Sequence, residues 1–493
     1  MPDAQAGPVG YDHAMAAPYP TVMMFVDGAW TNGSTEASEP ILNPATDEVL
    51  GQVPHASTAD LDRALRAAHK GFGVWRDTPV EARTRILRQA AALLRQRASD
   101  IAQIMTLEQG KPRNESMGEV VRVAAAIEWD AEEGRRAYGR IIPVDRSMQL
   151  SVLKQPVGPV AAFTPWNFPV GSPNRKIAAA LAAGCSIVIK ASEEVPGTAC
   201  ALVKCYEEAG VPAGVLNLVF GEPATISNHL ISSPITRFVA FTGSIPVGKQ
   251  LAALAASHMK PHIMELGGHA PVIVCADADP VAAALSAAAG KFINAGQVCT
   301  SASRFIVHES IYDRFVETFA AVARETVVGD GLDAKTKMGP LANARRLTAV
   351  QGLVEDALTH GSTLVCGGHR IGTRGNFFEP TVLRDVPTKA RIMNVEPFGP
   401  VAPVVRFQHI DDAIALANSL PYALAAYAFT PSAALAEELA HRLEAGIISI
   451  NHVGGSIHEA PSGGWKESGY GREGGSEGLD GYMVTKRVAH KLR

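Results

Sequence analysis

Paired cysteines are what this sequence most plainly lacks. Its six cysteines, at 185, 200, 205, 275, 299 and 366, are scattered over 493 residues. None forms a C-x-x-C pair or joins a Cys/His cluster at zinc spacing, so no metal site is expected. A disulfide framework is equally out of place in so long a chain, and reduced thiols in a cytoplasmic setting are the expectation. Charge excess is also missing: 45 basic residues face 49 acidic ones, for a net charge of −4. With no Lys/Arg stripe, nucleic acid is excluded as a partner. No apolar run reaches membrane-spanning length, so no membrane partner is expected either. The opening MPDAQAGPVGYDHAMAAPYP lacks the basic start and apolar run of a signal peptide. Residues 1–20 read as a flexible tail.

What the chain does have is alternation. Residues 57–108 are helical in pattern, with Leu61, Leu65, Ala68 and Phe72 on one face, then Ile86, Leu87, Ala90, Leu93 and Leu94. From Val160 short apolar runs alternate with helical segments. Val160–Thr164, Ser186–Lys190, Val215–Phe220 and Arg237–Phe241 read as strands. Helices are expected at Pro173–Ala183, Pro196–Ala209, near 223–231 and at Pro246–Ser257. Pro173 near a start and Gly184 and Gly210 at ends are ordinary helix punctuation. The run HIMEL, ending at Glu265 and Leu266, is one more strand. Strand Pro271–Cys275 and helix Pro280–Ala295 open a second alternating unit that runs to about 450.

This order predicts an α/β protein with two doubly wound, parallel-sheet domains. The first, Rossmann-like and dinucleotide-binding, takes 21–139 and 156–266; the second, catalytic, takes 267–452. Segments 140–155 and 480–493 have strand pattern and fit neither unit, so they are read as a small β oligomerisation arm of a homodimer or homotetramer.

Two motif searches return decoys. Gly469-Tyr-Gly471-Arg-Glu-Gly474 matches G-x-G-x-x-G but follows no predicted strand, so a turn is the better reading. Gly243-Ser-Ile-Pro-Val-Gly248-Lys249 nearly matches a P-loop, yet Gln250 cannot supply the hydroxyl that such loops place on Mg²⁺. A Gly-Ser turn between strand and helix still offers free amides suited to a diphosphate.

Among the cysteines, Cys299 stands apart. The other five read as small buried hydrophobes, whereas Cys299 lies among Gly, Gln and Thr after a helix. A thiolate there is an intrinsic nucleophile for a carbonyl carbon.

Five motifs then occur in order: Thr164-Pro-Trp-Asn-Phe-Pro169, Phe241-Thr-Gly-Ser244, Met264-Glu-Leu-Gly-Gly268, Gly296-Gln-Val-Cys-Thr300 and Glu396-Pro-Phe-Gly-Pro400. Together they resemble the aldehyde dehydrogenase superfamily, and the resemblance runs from about 24 to 490. It implies NAD(P)-dependent oxidation of an aldehyde to an acid through a thiohemiacetal and thioester on Cys299. Asn167 and the backbone N–H of Cys299 are then the oxyanion donors. Glu265 is the general base that hydrolyses the thioester, the mark of a hydrolytic rather than CoA-acylating enzyme. Without the resemblance, Asn167 reads as a turn former and Glu265 as an ion-pair partner or exposed cap.

Cofactor residues follow the same way. Lys190 and Glu193 match the adenosine ribose site. Trp166, Gly243 and Ser244 match the diphosphate site, and Thr164 and Leu266 match further cofactor-binding positions. Glu396 and Phe398 match the nicotinamide ribose site. NAD is expected, with NADP possible. On residue type alone, Lys190–Glu194 is a solvated loop.

At the substrate end, Arg175 and Ser456 match carboxylate-anchoring positions of the succinate-semialdehyde dehydrogenase branch and its α-ketoglutaric-semialdehyde relatives. The tail EAPSGGWKESGYGREGG is similar to that branch too. Phe168, Thr300 and Ser462 complete the expected aldehyde pocket. The sequence departs from the branch at Ile293, where a second arginine is usual, and at Ser462, where many members carry Phe. The expected substrate is therefore a short semialdehyde with a distal carboxylate. A bulkier neutral or aromatic aldehyde is the alternative, with Arg175 then a surface arginine. A catalytically silent protein of the same fold is the alternative from another class.

Overall fold

The structure is a computed structural model, and it describes residues 19–454 and 457–492. Two sheets organise the chain. Five parallel strands form the centre of the first: Leu216–Val219, Ile187–Lys190, Val160–Phe163, Phe238–Gly243 and His262–Leu266, adjacent in that order. Three of these strands are short, fully buried runs and the other two are buried except at one end, as a sheet covered on both faces requires. Antiparallel edges close it. Met24–Val26 and Ala29–Thr31 lie on one side, and Gly469–Tyr470 pairs with Met264 and Glu265 on the other.

The second sheet carries Ala302–His308 at its centre, between Val401–Phe407 and Ala270–Val274. It is parallel except for its Thr363–Cys366 edge. Each sheet has its own apolar core. Trp75, Tyr206 and Phe220 are packed into the first; Phe305, Phe315 and Phe319 stack in the second. A third, antiparallel sheet of Arg140–Ile142, Met148–Pro156 and Met483–Lys491 stands apart from both, and its outer strand is almost wholly exposed.

The elements follow the sequence pattern with four differences. The region 57–108 is three helices, Thr58–Asp77, Val80–Gln96 and Ala98–Gln109. Ser57 starts the first with a reciprocal capping box to Asp60. The helix expected to run from Pro280 to Ala295 stops at Phe292, because Asn294 and Ala295 take left-handed backbone at φ 50° and 53°. The segment read as a turn at 469 is in part a strand, since Gly469 and Tyr470 return to the first sheet. Cys366 is half-buried, an edge-strand residue rather than a core one. Among the described residues, no helix is long and apolar enough to cross a membrane.

Candidate active site

The C-terminal ends of the parallel strands of the first sheet open onto a cavity of about 920 Å³. Ligands of open α/β sheets bind at this place. Thr164 and Trp166 follow one strand, Lys190 ends the next, and Gly243 and Ser244 end the fourth; all line the cavity with Glu193. Lys190 is 6% exposed and forms an ion pair with Glu193, so this loop is not the solvated one its residue types suggest. The backbone N–H of Gly221 also donates to Glu193, at 3.4 Å.

These residues fit a dinucleotide on three observations. Ser244 caps the Ile245–Ser257 helix with its backbone alone, which leaves the first-turn amides facing the cavity. A side chain at Gly243 would lie 2.3 Å from the Phe241 ring, so the turn stays open only with glycine there. Thr164 Oγ1 is buried with no partner among the described residues, a polar atom left for a ligand.

Trp166 meets Phe398 edge-on at 5.6 Å, and Phe398 has φ 42°, a conformation pinned by Arg346, which donates to the carbonyl of Pro397 at 2.6 Å. Glu396 accepts from the Gly268 N–H at 3.2 Å. A Cβ on Gly267 would lie 2.4 Å from Glu396 Oε2, so glycine here lets the carboxylate close in. Burial raises the pKa of Glu396 to about 7, against the pull of the Gly268 N–H, Arg346 and Lys291.

Cys299 lies in the loop that follows the left-handed pair, and it is half-buried. Tyr427 holds this loop by donating to the Thr300 carbonyl at 2.6 Å. Burial pushes the Cys299 thiol up to about 12; Glu396 and Glu265 push the same way, and Arg175 opposes them. Asn167 is buried, and one N–H of its amide donates to the Gln297 carbonyl at 3.1 Å. That bond turns the amide toward the Cys299 loop and leaves a second N–H to donate.

Glu265 sits near the end of its strand, buried, with Oε1 unpartnered among the described residues. Desolvation lifts it to about 8; the neighbouring Glu473 adds to this, while Lys176, Arg175 and Arg472 oppose it. A Cβ on Gly463 would come within 2.9 Å of that oxygen, so the glycine pair of the tail keeps space beside it.

Two residues here escaped the sequence reading. Lys176, fully buried, pairs with Glu473 and donates to Thr242 Oγ1 at 2.6 Å. Glu473 was visible only as part of the GREGG tail, and Lys176 only as the neighbour of Arg175. Their adjacency depends on the tail folding back along the first sheet, which no local pattern shows.

Arg175 is half-buried on the helix Gly171–Ala183. Its guanidinium lies near enough to Glu265, Cys299, Asp130 and His458 to bias their ionisation. Phe168, Thr300 and Ser462 are each half-buried. Ser462 exchanges backbone hydrogen bonds with Glu473 at 2.7 and 2.8 Å, which ties that wall of the pocket to the Lys176 pair. Ile293 is 47% exposed. Ser456 lies outside the described residues. Among the described residues, no group of three His, Cys, Asp or Glu side chains is placed to hold a metal ion.

A cavity at the C-terminal ends of the first sheet's strands, with a thiol, a desolvated carboxyl and an oriented amide on neighbouring loops, is the arrangement a dehydrogenase acting through a thiol would use. The chain belongs to the aldehyde dehydrogenase family, whose profile matches residues 30–488. It is 46% identical over 464 residues to a putative 4-(hydroxymethyl)benzenesulfonate dehydrogenase of Comamonas testosteroni, covering 94% of this chain and 97% of that one. It is 42% identical to the NADP(+) succinate-semialdehyde dehydrogenase of Escherichia coli, covering 94% and 96%. The crystal structure of succinate-semialdehyde dehydrogenase from Burkholderia pseudomallei superposes with a TM-score of 0.94 at 41% identity, over 96% of this chain and 98% of that one.

Proposed function

We propose that this aldehyde dehydrogenase oxidises an aldehyde that carries a distal anionic group. The observation that carries the reading is Arg175, half-buried on the helix that follows the Asn167 loop and near enough to Cys299 and Glu265 to bias both. In this reading Cys299 first gives up its thiol proton to solvent, and Sγ then attacks the carbonyl carbon as a thiolate. The second N–H of Asn167 and the backbone N–H of Cys299 take up the charge that develops on oxygen; such a donor is worth roughly 3–4 kcal/mol in the transition state. A bound nicotinamide supplies the hydride acceptor. Lys190 and Glu193 hold the adenosine ribose, the Gly243–Ser244 turn with Thr164 and Trp166 the diphosphate, and Glu396 with Phe398 the nicotinamide ribose. Leu266 flanks that end of the groove.

Glu265 then acts as general base. Its oxygen is buried and unpartnered, so it takes a proton from water more readily than an ordinary carboxylate. The released acid leaves past Arg175. The separate β-sheet of 140–156 and 483–491 serves as the arm of a homodimer or homotetramer, and the flanking domain boundaries are those given by the sequence pattern. The reduced thiols fit a cytoplasmic enzyme.

The distal anion is a carboxylate or a sulfonate. Guanidinium recognises either in a forked, two-bond fashion, and relatives named for both chemistries are similar to this chain. The test measures kcat/KM for succinate semialdehyde, 4-formylbenzenesulfonate and a neutral aldehyde, in wild type and in Arg175→Ala. The anionic substrates should lose about 30-fold or more, and the neutral one far less. Equal losses, or a wild-type preference for the neutral aldehyde, would overturn the reading. The relative rates of the two anions decide between a short chain and a ring.

A further inference from the structure

Three charged residues spaced by four, Lys111, Glu115 and Glu119, run from a loop into the helix Arg113–Gly134. Lys111 and Glu119 are 2% and 3% exposed and paired at 2.6 Å. None of the three belongs to the groove or the reacting groups described above, yet apart from the Lys111–Glu119 pair their side-chain hydrogen bonds go to backbone groups in or next to the loops that carry those groups. Lys111 Nζ donates to the backbone carbonyl of Asn167 at 2.9 Å and lies 4.5 Å from the Phe168 ring centre. Glu119 Oε1 accepts from the N–H groups of Val170 and Gly171, at 3.0 and 2.9 Å. Glu115 reaches the other side of the groove, where its Oε2 accepts from the N–H of Asn294 at 2.9 Å.

Asn294 is the first of the two left-handed residues that turn the chain toward Cys299. An L-residue in that conformation is costly, and it persists only where neighbours over-determine it. Glu115 fixes its N–H. The Asn294 side chain donates to the Asn167 carbonyl at 3.0 Å and to the Gln297 carbonyl at 3.2 Å. The Asn167 carbonyl therefore takes one bond from Lys111 and one from Asn294, while its side-chain amide donates to Gln297. The loop carrying the amide donor and the loop carrying the thiol are tied together through this one residue.

We propose that Lys111, Glu115 and Glu119 are positioning residues for the reaction, setting the Asn167 amide against the Cys299 loop across the boundary of the two sheets. This rests on the roles given above to Asn167 and Cys299. The physical case is that burying ions is expensive, and apolar residues of the same volume commonly stabilise a core as well or better. Here each buried charge is spent on a backbone group of a loop that carries a reacting group. A displacement of about 1 Å in such a constellation costs roughly 100-fold in rate.

The test is a double-mutant cycle between Lys111→Met and Asn167→Ala, read as the first-turnover rate at 340 nm, with dinucleotide affinity by fluorescence and Tm as controls. Lys111→Met should lower the first-turnover rate about 30-fold while dinucleotide Kd stays within about threefold. Asn167→Ala should lower it about 100-fold or more. The double variant should be no slower than Asn167→Ala alone, because Lys111 acts through that residue. Losses that multiply, or a Lys111→Met enzyme with a lowered Tm and an unchanged first turnover, would overturn the proposal. Should Asn167→Ala itself keep its rate, the reading of Asn167 fails instead. If Lys111→Met does not fold, Glu115→Gln and Glu115→Ala decide. The amide oxygen of Gln still accepts from Asn294, so a loss of about threefold is expected there and of tenfold or more in Ala. Equal losses in the two would contradict the proposal.

Discussion

In the dinucleotide groove Glu193 and Glu194 are each held by a partner of opposite charge; beside Cys299, Glu265 and Glu396 are not. Glu193 pairs with Lys190, and Glu194 takes bonds from Asn343, Arg345 and Ser192. In the catalytic centre Glu265 has a bare oxygen and a second acid, Glu473, as neighbour. Glu396 accepts a single backbone N–H, and Lys291, beneath the same loop, is lowered to about 7 by burial. In the groove, the charges of Glu193 and Glu194 are neutralised by Lys190 and Arg345. The centre is built to react, because a group held near neutrality can both give and take a proton at working pH.

That contrast can be broken from either side. The larger effect lies in the centre. Glu265 works as a base only when ionised, and burial holds it at about 8, so its active fraction grows as pH rises. The rate of thioester hydrolysis should climb on the order of tenfold or more between about pH 6.5 and 8.5 and then level. A stopped-flow measurement of the phase after the first turnover checks this, and a flat profile would mean that another group activates water. The smaller effect lies in the groove. Glu193 beside the ribose accepts its hydroxyls and repels a 2′-phosphate, so wild type should prefer NAD⁺. Glu193→Gln should narrow the NAD⁺/NADP⁺ ratio of kcat/KM only several-fold, since Lys190 remains to meet a phosphate. A wild-type preference for NADP⁺ would reject that account, and the E. coli relative named for NADP(+) makes a useful control.

Much of this was legible in the sequence because the fold is written locally. Short buried runs gave the five central parallel strands of the first sheet, and Ala270–Val274 of the second, to within two residues; the other strands of the second sheet were covered only by the expected alternation to about 450. The five motifs placed Cys299, Glu265, Asn167 and Glu396 on strand ends and loops that the fold brings together. Helix Pro280–Phe292 was overrun because its stop is not a glycine. Asn294 and Ala295 adopt left-handed backbone only under tertiary bonds from Glu115 and the Asn167 loop. Lys176 with Glu473, and Lys111 with Glu119, were unreadable for a related reason. A buried ion pair looks like two surface charges until the segments that carry it are packed. Arg175 could be read as surface or site on its helix, and only the position of its neighbours decides between them.

The central claim is that the acyl group passes through Cys299 and leaves by way of Glu265. Glu265→Gln, mixed with NAD⁺ and aldehyde and quenched in acid, tests it most directly by intact mass and peptide mapping. The account predicts a single burst of absorbance at 340 nm, one acyl group per chain on the peptide containing Cys299, and no adduct in Cys299→Ala. An acyl group on another residue, or continued turnover with no adduct at all, would contradict it.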